Sequence, residues 1–143
     1  MKIPFNLEYQ IDKSLREVPI EAAEFRKGIE FLKTEIAHLK GIEKARACSK
    51  LGSLQRIQGE LVESLHSLHL AGTLLKTFSN PRLSIINSLR LAQTFQFQGE
   101  LTEANTEYCA LKRRLNQTLQ IQTYMILYSN TEESTILTKV ILN

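Results

Sequence analysis

The chain has 143 residues, of which 43% are hydrophobic and 23% charged, an ordinary composition for a single soluble domain. Its net charge of +3 argues against a nucleic-acid-binding surface, which concentrates far more positive charge on one face. No stretch approaches the roughly 18 apolar residues of a membrane span, and the first ten residues lack the apolar run of a signal peptide. These features predict a cytoplasmic protein that does not enter a membrane.

The N-terminal part of the chain changes character near residue 20. Residues 1–18 have mixed patterning, and Pro4 and Pro19 limit any long helix there. Beyond Pro19, apolar residues recur every three or four positions, which places them on one side of a helix. They are Ala22, Phe25, Ile29, Leu32, Ile36 and Leu39. Gly41 follows this stripe and is expected to end the helix.

Four more helices are predicted between residues 42 and 120. Segment 42–58 carries an apolar face of Ile42, Ala45, Cys48 and Leu51, and segment 82–98 carries one of Ile85, Leu89, Ala92 and Phe95. Longer stripes follow each of them: Leu61, Leu65, Leu68, Gly72 and Leu75, then Leu101, Ala104, Tyr108, Leu111 and Leu115. Asn80-Pro81 suits an N-cap followed by proline at the first helical position, so the second pair should begin there.

The two helix pairs share a sequence. QGELVE at 58–63 is repeated as QGELTE at 98–103, forty residues later. At the same offset, Leu91-Ala92 corresponds to Leu51-Gly52. An internal period of this size is typical of repeat proteins, in which each unit stacks on the next. Gly59 and Gly99 lie where one helix must turn into its partner, so both are expected to adopt a positive φ.

The C-terminal segment, residues 121–143, leaves the repeat pattern. Tyr124, Met125, Leu127 and Tyr128, and then Ile136, Leu137, Val140 and Ile141, fit helical faces. The same residues are rich in strand formers around a polar turn, so a β-hairpin is the alternative. A terminal element that departs from the repeat is expected to cap the core in either case.

The positions of the small and aromatic residues resemble the tetratricopeptide repeat. The first copy matches at Leu51-Gly52, Gly59, Ser64, Leu68 and Ala71, and the second at Leu91-Ala92, Phe95, Gly99, Ala104 and Tyr108. The unit departs from the family's usual length of about 34 residues, Ser64 stands in place of an alanine, and Gln55 stands in place of an aromatic residue. The resemblance is closest to the longer variants of that family.

The resemblance implies an all-α fold, a tetratricopeptide-like right-handed superhelix of antiparallel helix hairpins in a single domain, 1–143. The repeats would cover approximately residues 42–80 and 81–120, after a partial N-terminal repeat at 1–41 and before a capping segment at 121–143. An irregular helical bundle with one duplicated hairpin is the structural alternative.

The resemblance also implies a non-enzymatic adaptor or scaffold that binds a protein or peptide. In that family the first helices of the pairs line a concave groove. Carried over to this chain, the groove would present Arg46, Ser49, Lys50, Ser53 and Arg56 from one unit and Ile86, Leu89, Arg90, Gln93 and Gln96 from the next. The lysines and arginines among them favour an acidic partner.

Other kinds of site are less well supported by the sequence. His66 and His69 could share a helical face with a metal, but a position beside the buried stripe of Leu65 and Leu68 explains them better. No glycine-rich phosphate loop occurs, and neither Cys48 nor Cys109 has a catalytic partner or CxxC spacing. We therefore expect no catalytic, cofactor-binding or metal residues. Two alternative functions stay open: a regulator that acts on nucleic acid directly or by sequestering another regulator, and an assembly subunit that forms a homodimer.

Overall fold

The computed structural model describes residues 2–117, which are predominantly helical. The elements in chain order are β1 (Tyr9–Ile11), β2 (Glu17–Pro19), α1 (Ala22–Ile36), α2 (Gly41–Gln58), α3 (Leu61–Thr77), α4 (Pro81–Gln98) and α5 (Leu101–Gln117). The predicted capping segment at 121–143, with its helix and hairpin alternatives, lies outside the described residues. Over residues 2–117, none of the helices combines the length and the apolar character needed to cross a bilayer.

The chain divides into two compact units between Asn80 and Pro81. The first unit contains β1, β2 and helices α1 to α3, and the second contains α4 and α5. Proline opens α4, as the sequence predicts, because its missing N–H costs nothing in the first turn of a helix. The division falls where α4 begins.

The turns between paired helices confirm the prediction for the two glycines. Gly59 has a φ of 94° and Gly99 a φ of 84°. In both turns the glycine N–H bonds to the carbonyl three residues before it, and the next N–H bonds to the carbonyl five residues before it. This pair of bonds is the Schellman motif, which satisfies carbonyls at the end of a helix. The two QGEL segments therefore form the same turn, as well as sharing a sequence.

Gly41 does not end the first helix, contrary to the prediction. Helix α1 ends at Ile36, and a short turn carries the chain to Gly41, which opens α2 with a φ of 61°. The positive φ explains why glycine is suited to this position. Gly41 therefore begins a helix and does not end one.

A close approach between α2 and α3 shapes the first unit. A Cβ atom on Gly52 would lie 2.5 Å from Cγ of Leu68, a residue that is fully buried on α3. The Ser64 hydroxyl donates to the Gly52 carbonyl oxygen at 2.7 Å. Small residues on both helices thus allow the backbones to meet, and the buried face of α3 centres on Ser64, Ser67, Leu68 and Ala71.

The second unit uses the corresponding positions in a similar way. Ala92 and Ala104, which stand forty residues after Gly52 and Ser64, are both buried. Tyr108, predicted to be buried like Leu68, is only half-buried, because its hydroxyl reaches out to donate to Gln96 Oε1 at 2.9 Å. The two hairpins therefore agree in the turn and in burying small residues at equivalent positions, and differ at the middle of their second helices.

The N-terminal residues form a β-hairpin and an extended segment that the sequence patterning did not reveal. Strands β1 and β2 are antiparallel, with Tyr9 opposite Pro19 and Ile11 opposite Glu17. Before them, Ile3 and Leu7 pack against a core that contains Phe25, Ile29 and Leu32 of α1 together with residues of α2. Short strands and a half-buried extended segment give little periodic signal, so tertiary packing decides their conformation.

The turn of this hairpin holds a leucine in the left-handed conformation. Asp12 Oδ1 accepts hydrogen bonds from the backbone N–H groups of Ser14 and Arg16, at 2.8 and 3.0 Å. Between them Leu15 has a φ of 60° and is 81% exposed. A side chain in this conformation costs about 1–2 kcal/mol, which burial of this leucine cannot offset.

Leu15→Gly is therefore expected to stabilise the protein by about 0.5–1 kcal/mol, because glycine removes the steric cost and no packing is lost. Ser14→Gly is the matched control, since Ser14 is exposed in the same turn and has no positive φ; it is expected to be neutral or destabilising. Chemical denaturation of the two variants measures the difference. A loss of stability in Leu15→Gly would show that the leucine side chain makes a stabilising contact.

Candidate functional site

The predicted basic face of α2 is largely buried. Ser49, Ser53 and Arg56, which the tetratricopeptide resemblance placed in a groove, are each less than 5% exposed. Arg46 is exposed and Lys50 is half-buried. The reason is that α2 lies between α1 and α3 and also contacts β2, so that all residues from Ala47 to Ile57 except Lys50 are buried.

Arg56 is removed from the predicted groove by an ion pair that the sequence did not indicate. Its Nη2 lies 2.7 Å from Oε2 of Glu17 on β2, and its side chain is only 2% exposed. The two residues are 39 positions apart and belong to elements of different kinds. Arg56 therefore joins the hairpin to α2 and is not a surface cation that a ligand could reach.

The predicted residues of α4 follow the same trend. Leu89, Arg90 and Gln93 are buried, Ile86 is half-buried, and Gln96 is exposed. The expectation that Arg90 lies on the surface is therefore wrong. The buried residues of α4 occupy more than one face of the helix, so its polar positions are not automatically solvent-facing.

The histidines and cysteines show no arrangement that suggests chemistry. His66 and His69 are both exposed on α3. Among residues 2–117, no group of three or more histidine, cysteine or acidic side chains is placed to hold a metal ion. Cys48 is a buried free thiol and Cys109 an exposed one.

An open groove in the first unit was not predicted, and it is the most distinctive surface feature there. We call it the α1–α3 groove. It has a volume of about 440 Å³, and its lining comes from three helices: Lys33 and Ile36 of α1; Cys48, Leu51 and Gln55 of α2; and Val62, Glu63, His66, Ser67 and Leu70 of α3. Helices α1 and α3 form its walls, and α2 forms its floor.

No protein-family model, curated protein or solved structure matches the chain. A proposal for the function of the chain therefore depends on the geometry of the described residues.

The floor of the α1–α3 groove is apolar, and its few polar groups are largely satisfied. Gln55 Oε1 accepts a hydrogen bond from the Ser67 hydroxyl at 2.7 Å. Burial raises the pKa of the Cys48 thiol, and the nearby Lys44 ammonium opposes that shift only in part. A thiol in this state is protonated at neutral pH and behaves as a small apolar group. The floor residues Cys48, Leu51 and Gln55 are each 6% exposed or less, so the accessible surface of the groove is that of its walls.

The α3 wall exposes large apolar side chains. Val62 is 69% exposed and Leu70 is 40% exposed, and both line the groove together with His66. These three residues are spaced by four along α3, so they lie on one face of the helix. The spacing of Val62, His66 and Leu70 is visible in the sequence. The neighbouring stripe of Leu61, Leu65 and Leu68 is more apolar, however, and the sequence analysis placed the apolar face of the helix there.

The charged residues that line the groove are Lys33 of α1 and Glu63 of α3. Lys33 Nζ lies 2.9 Å from Oε1 of Glu30 on the same helix. The hydrogen bond that Lys33 donates to Glu30 raises the pKa of Lys33, and attraction to Glu60 and Glu63 at the start of α3 raises it further. Lys33 is therefore paired with a carboxylate of its own helix and attracted by two at the start of α3.

Proposed function

We propose that this chain is a non-enzymatic helical-repeat protein that binds another protein or a peptide, as an adaptor or scaffold of the tetratricopeptide-like kind. The observation that carries the proposal is the open apolar α1–α3 groove, whose wall residues Val62 and Leu70 are exposed. Exposed apolar side chains grouped in a concave surface are typical of sites that bind other proteins. We place this activity in the cytoplasm, with which the free thiols of Cys48 and Cys109 are compatible.

The tetratricopeptide-like character is supported by the two helix pairs. Both contain the same Schellman turn, and both bury small residues at equivalent positions, Gly52 and Ser64 in the first pair and Ala92 and Ala104 in the second. The proposal differs from the family's usual mode of binding in one respect. The first-helix positions of α2 that would line a basic groove are mostly buried, so we assign partner binding to the α1–α3 groove.

Self-association is the second candidate function, because the exposed Val62 and Leu70 could pack against another copy of the chain. Light scattering of the purified protein across a concentration series separates the two functions. A monomer at all concentrations supports the adaptor function, and a dimer supports the assembly subunit.

A photo-cross-linking experiment tests whether the chain binds a partner at all. We would place a photo-reactive phenylalanine analogue at Leu70 in the groove or, as a control, at Leu101, an exposed leucine of α5 in the second unit. Irradiation in cells of the natural source, followed by mass spectrometry, is expected to give a defined cross-linked protein from position 70 and not from position 101. The absence of any cross-linked protein from either position would overturn the proposed function.

A further inference from the structure

Arg114 of α5 binds two serine hydroxyls of α4. Its Nη2 donates to Ser84 Oγ at 3.0 Å, and its Nη1 donates to Ser88 Oγ at 3.5 Å. Helix α5 follows α4 after the turn at Gly99 and runs back along it, so that its last turn meets the start of α4. The three side chains are half-buried, which leaves them partly removed from water and still accessible. We call these three residues the Arg114 cluster.

The positive charge of Arg114 has no carboxylate beside it in the described part of the chain. Over residues 2–117 its side chain bonds to the two serines alone and forms no ion pair. Helix α4 contains no aspartate or glutamate, and the nearest acid along α5 is Glu107, about two turns or roughly 10 Å away along the helix axis. Arg56, which also joins two elements, is in contrast paired with Glu17 at 2.7 Å. The charge of Arg114 is therefore available to an anion.

The two serine hydroxyls keep their own protons available for an acceptor. Thr94 and Thr106 show the alternative, since each hydroxyl donates to the carbonyl four residues earlier in its own helix. Ser84 and Ser88 accept from Arg114 and, within residues 2–117, donate to no protein group. A guanidinium has only donors, and a hydroxyl that accepts one bond still has one proton to donate. The cluster therefore presents several donors that together require an acceptor.

A phosphate group matches this set of donors. It presents three terminal oxygens, which are strong acceptors, and it carries up to about two negative charges. A guanidinium binds phosphate through two parallel N–H···O bonds. Side chains four positions apart lie on one face of a helix, with about 5–6 Å between their Cβ atoms, so the two hydroxyls flank the guanidinium on one side. A carboxylate has only two oxygens and leaves at least one of the three donor groups without an acceptor.

We propose that Arg114, Ser84 and Ser88 bind one phosphate group, either free inorganic phosphate or a phosphate monoester. The guanidinium supplies the charge, and the two hydroxyls donate to the remaining oxygens and fix their orientation. The exposed Lys112 and Arg113, which precede Arg114 along α5, add positive potential that attracts an anion. The site lies within the second unit and uses no residue of the α1–α3 groove, so it is independent of the proposed partner binding.

Titration of the full chain with phosphate at constant ionic strength tests the site. The signals followed by nitrogen-15 NMR are the Nε–H of Arg114 and the backbone N–H of Ser88. Inorganic phosphate and glycerol 3-phosphate form separate arms, and acetate is the carboxylate control. We expect saturable shifts in the millimolar range with at least one of the two phosphates. Saturation with glycerol 3-phosphate alone would assign the site to a monoester, and saturation with both would include free phosphate.

Two results of this titration would overturn the proposal. One is a shift that grows with either phosphate without reaching saturation, which is the behaviour of a general ionic effect. The other is an equal affinity for acetate, which would show that the third oxygen of the phosphate group is not used.

Arg114→Gln is the first variant, and Arg113→Gln is its matched control, since Arg113 is the exposed arginine that precedes it on α5. The backbone N–H of Ser88 reports binding in both. We expect Arg114→Gln to weaken phosphate binding by about tenfold or more, because it removes the charge and the paired donors, and Arg113→Gln to change it by less than about twofold. Equal weakening by the two variants would show that phosphate responds only to the net charge of α5.

A hydroxyl pair provides a second test that keeps the arginine and does not depend on Arg114→Gln folding. Ser84→Ala with Ser88→Ala is compared with Thr102→Ala with Thr106→Ala, an exposed pair with the same spacing on α5. The Nε–H of Arg114 is the signal in both double variants. We expect the serine pair to weaken phosphate binding by about threefold or more and the threonine pair to leave it unchanged. Unchanged affinity in the serine variant would remove both hydroxyls from the site and overturn the cluster.

Discussion

Replacement of Leu68 by alanine is expected to lower the free energy of unfolding by about 2–5 kcal/mol, the range for a leucine deleted from a protein core. Leu68 is fully buried on α3, where the helix approaches α2 most closely. Deletion of its isobutyl group leaves a cavity that the rigid helix pair can close only in part. Urea denaturation measures the change, and an unaltered midpoint would contradict the central place of Leu68 in the α2–α3 contact.

A second substitution tests the same contact from the opposite helix. A Cβ atom at position 52 would lie 2.5 and 2.7 Å from Cγ and Cδ2 of Leu68, so Gly52→Ala forces that side chain to move and should cost about 1–3 kcal/mol. In the double variant the added methyl group enters the space left by Leu68→Ala. Its loss of stability should therefore be smaller than the sum of the two single losses, whereas strict additivity would show that the residues do not touch.

The sequence predicted the elements that local chemistry determines. Proline and glycine restrict the backbone at particular positions, and for this reason the start of α4 at Pro81 and the left-handed turns at Gly59 and Gly99 were correct. The helices themselves followed from apolar residues that recur every three or four positions. The overall helical architecture thus required no knowledge of long-range contacts.

The candidate site could not be predicted because it depends on which helix faces become covered. Polar residues on α2 such as Ser49, Ser53 and Arg56 read as a solvated surface, yet packing of α1, β2 and α3 buries them. Apolar residues on α3 such as Val62 and Leu70 read as part of a general hydrophobic helix, yet no described helix covers them. In both cases the tertiary arrangement, and not the local sequence pattern, determines which side chains are exposed.

The N-terminal hairpin illustrates the same limit at longer range. Its strands are three residues each, too short for a periodic signal, and one of its links to the helices is made by Glu17 and Arg56. A single sequence does not reveal an ion pair between residues 39 positions apart, since a glutamate or an arginine alone is a common surface residue. Arg56 was for this reason assigned to partner binding instead of to the fold.

Neutralisation of Glu17 is expected to destabilise the protein strongly. Glu17→Gln keeps the size of the side chain but leaves the Arg56 guanidinium, which is 2% exposed, without the carboxylate that lies 2.7 Å from it. Removal of one partner of a buried ion pair typically costs about 3–5 kcal/mol, because the other charge stays buried. Glu43→Gln is the matched control: Glu43 lies 3.9 Å from Arg46, and both side chains are more than half exposed. Its effect should stay below about 1 kcal/mol.

A double-mutant cycle with Arg56→Met separates the cost of losing the Glu17 carboxylate beside a buried cation from that of lost packing. Methionine keeps much of the apolar stem of the arginine and removes the buried cation, so Glu17→Gln combined with Arg56→Met should be markedly more stable than Glu17→Gln alone. High salt should leave the Glu17→Gln effect nearly unchanged, since a buried pair is screened far less than an exposed one. If instead the double variant loses the sum of the two single losses, Glu17 and Arg56 contribute independently, and the ion pair does not hold the hairpin on α2.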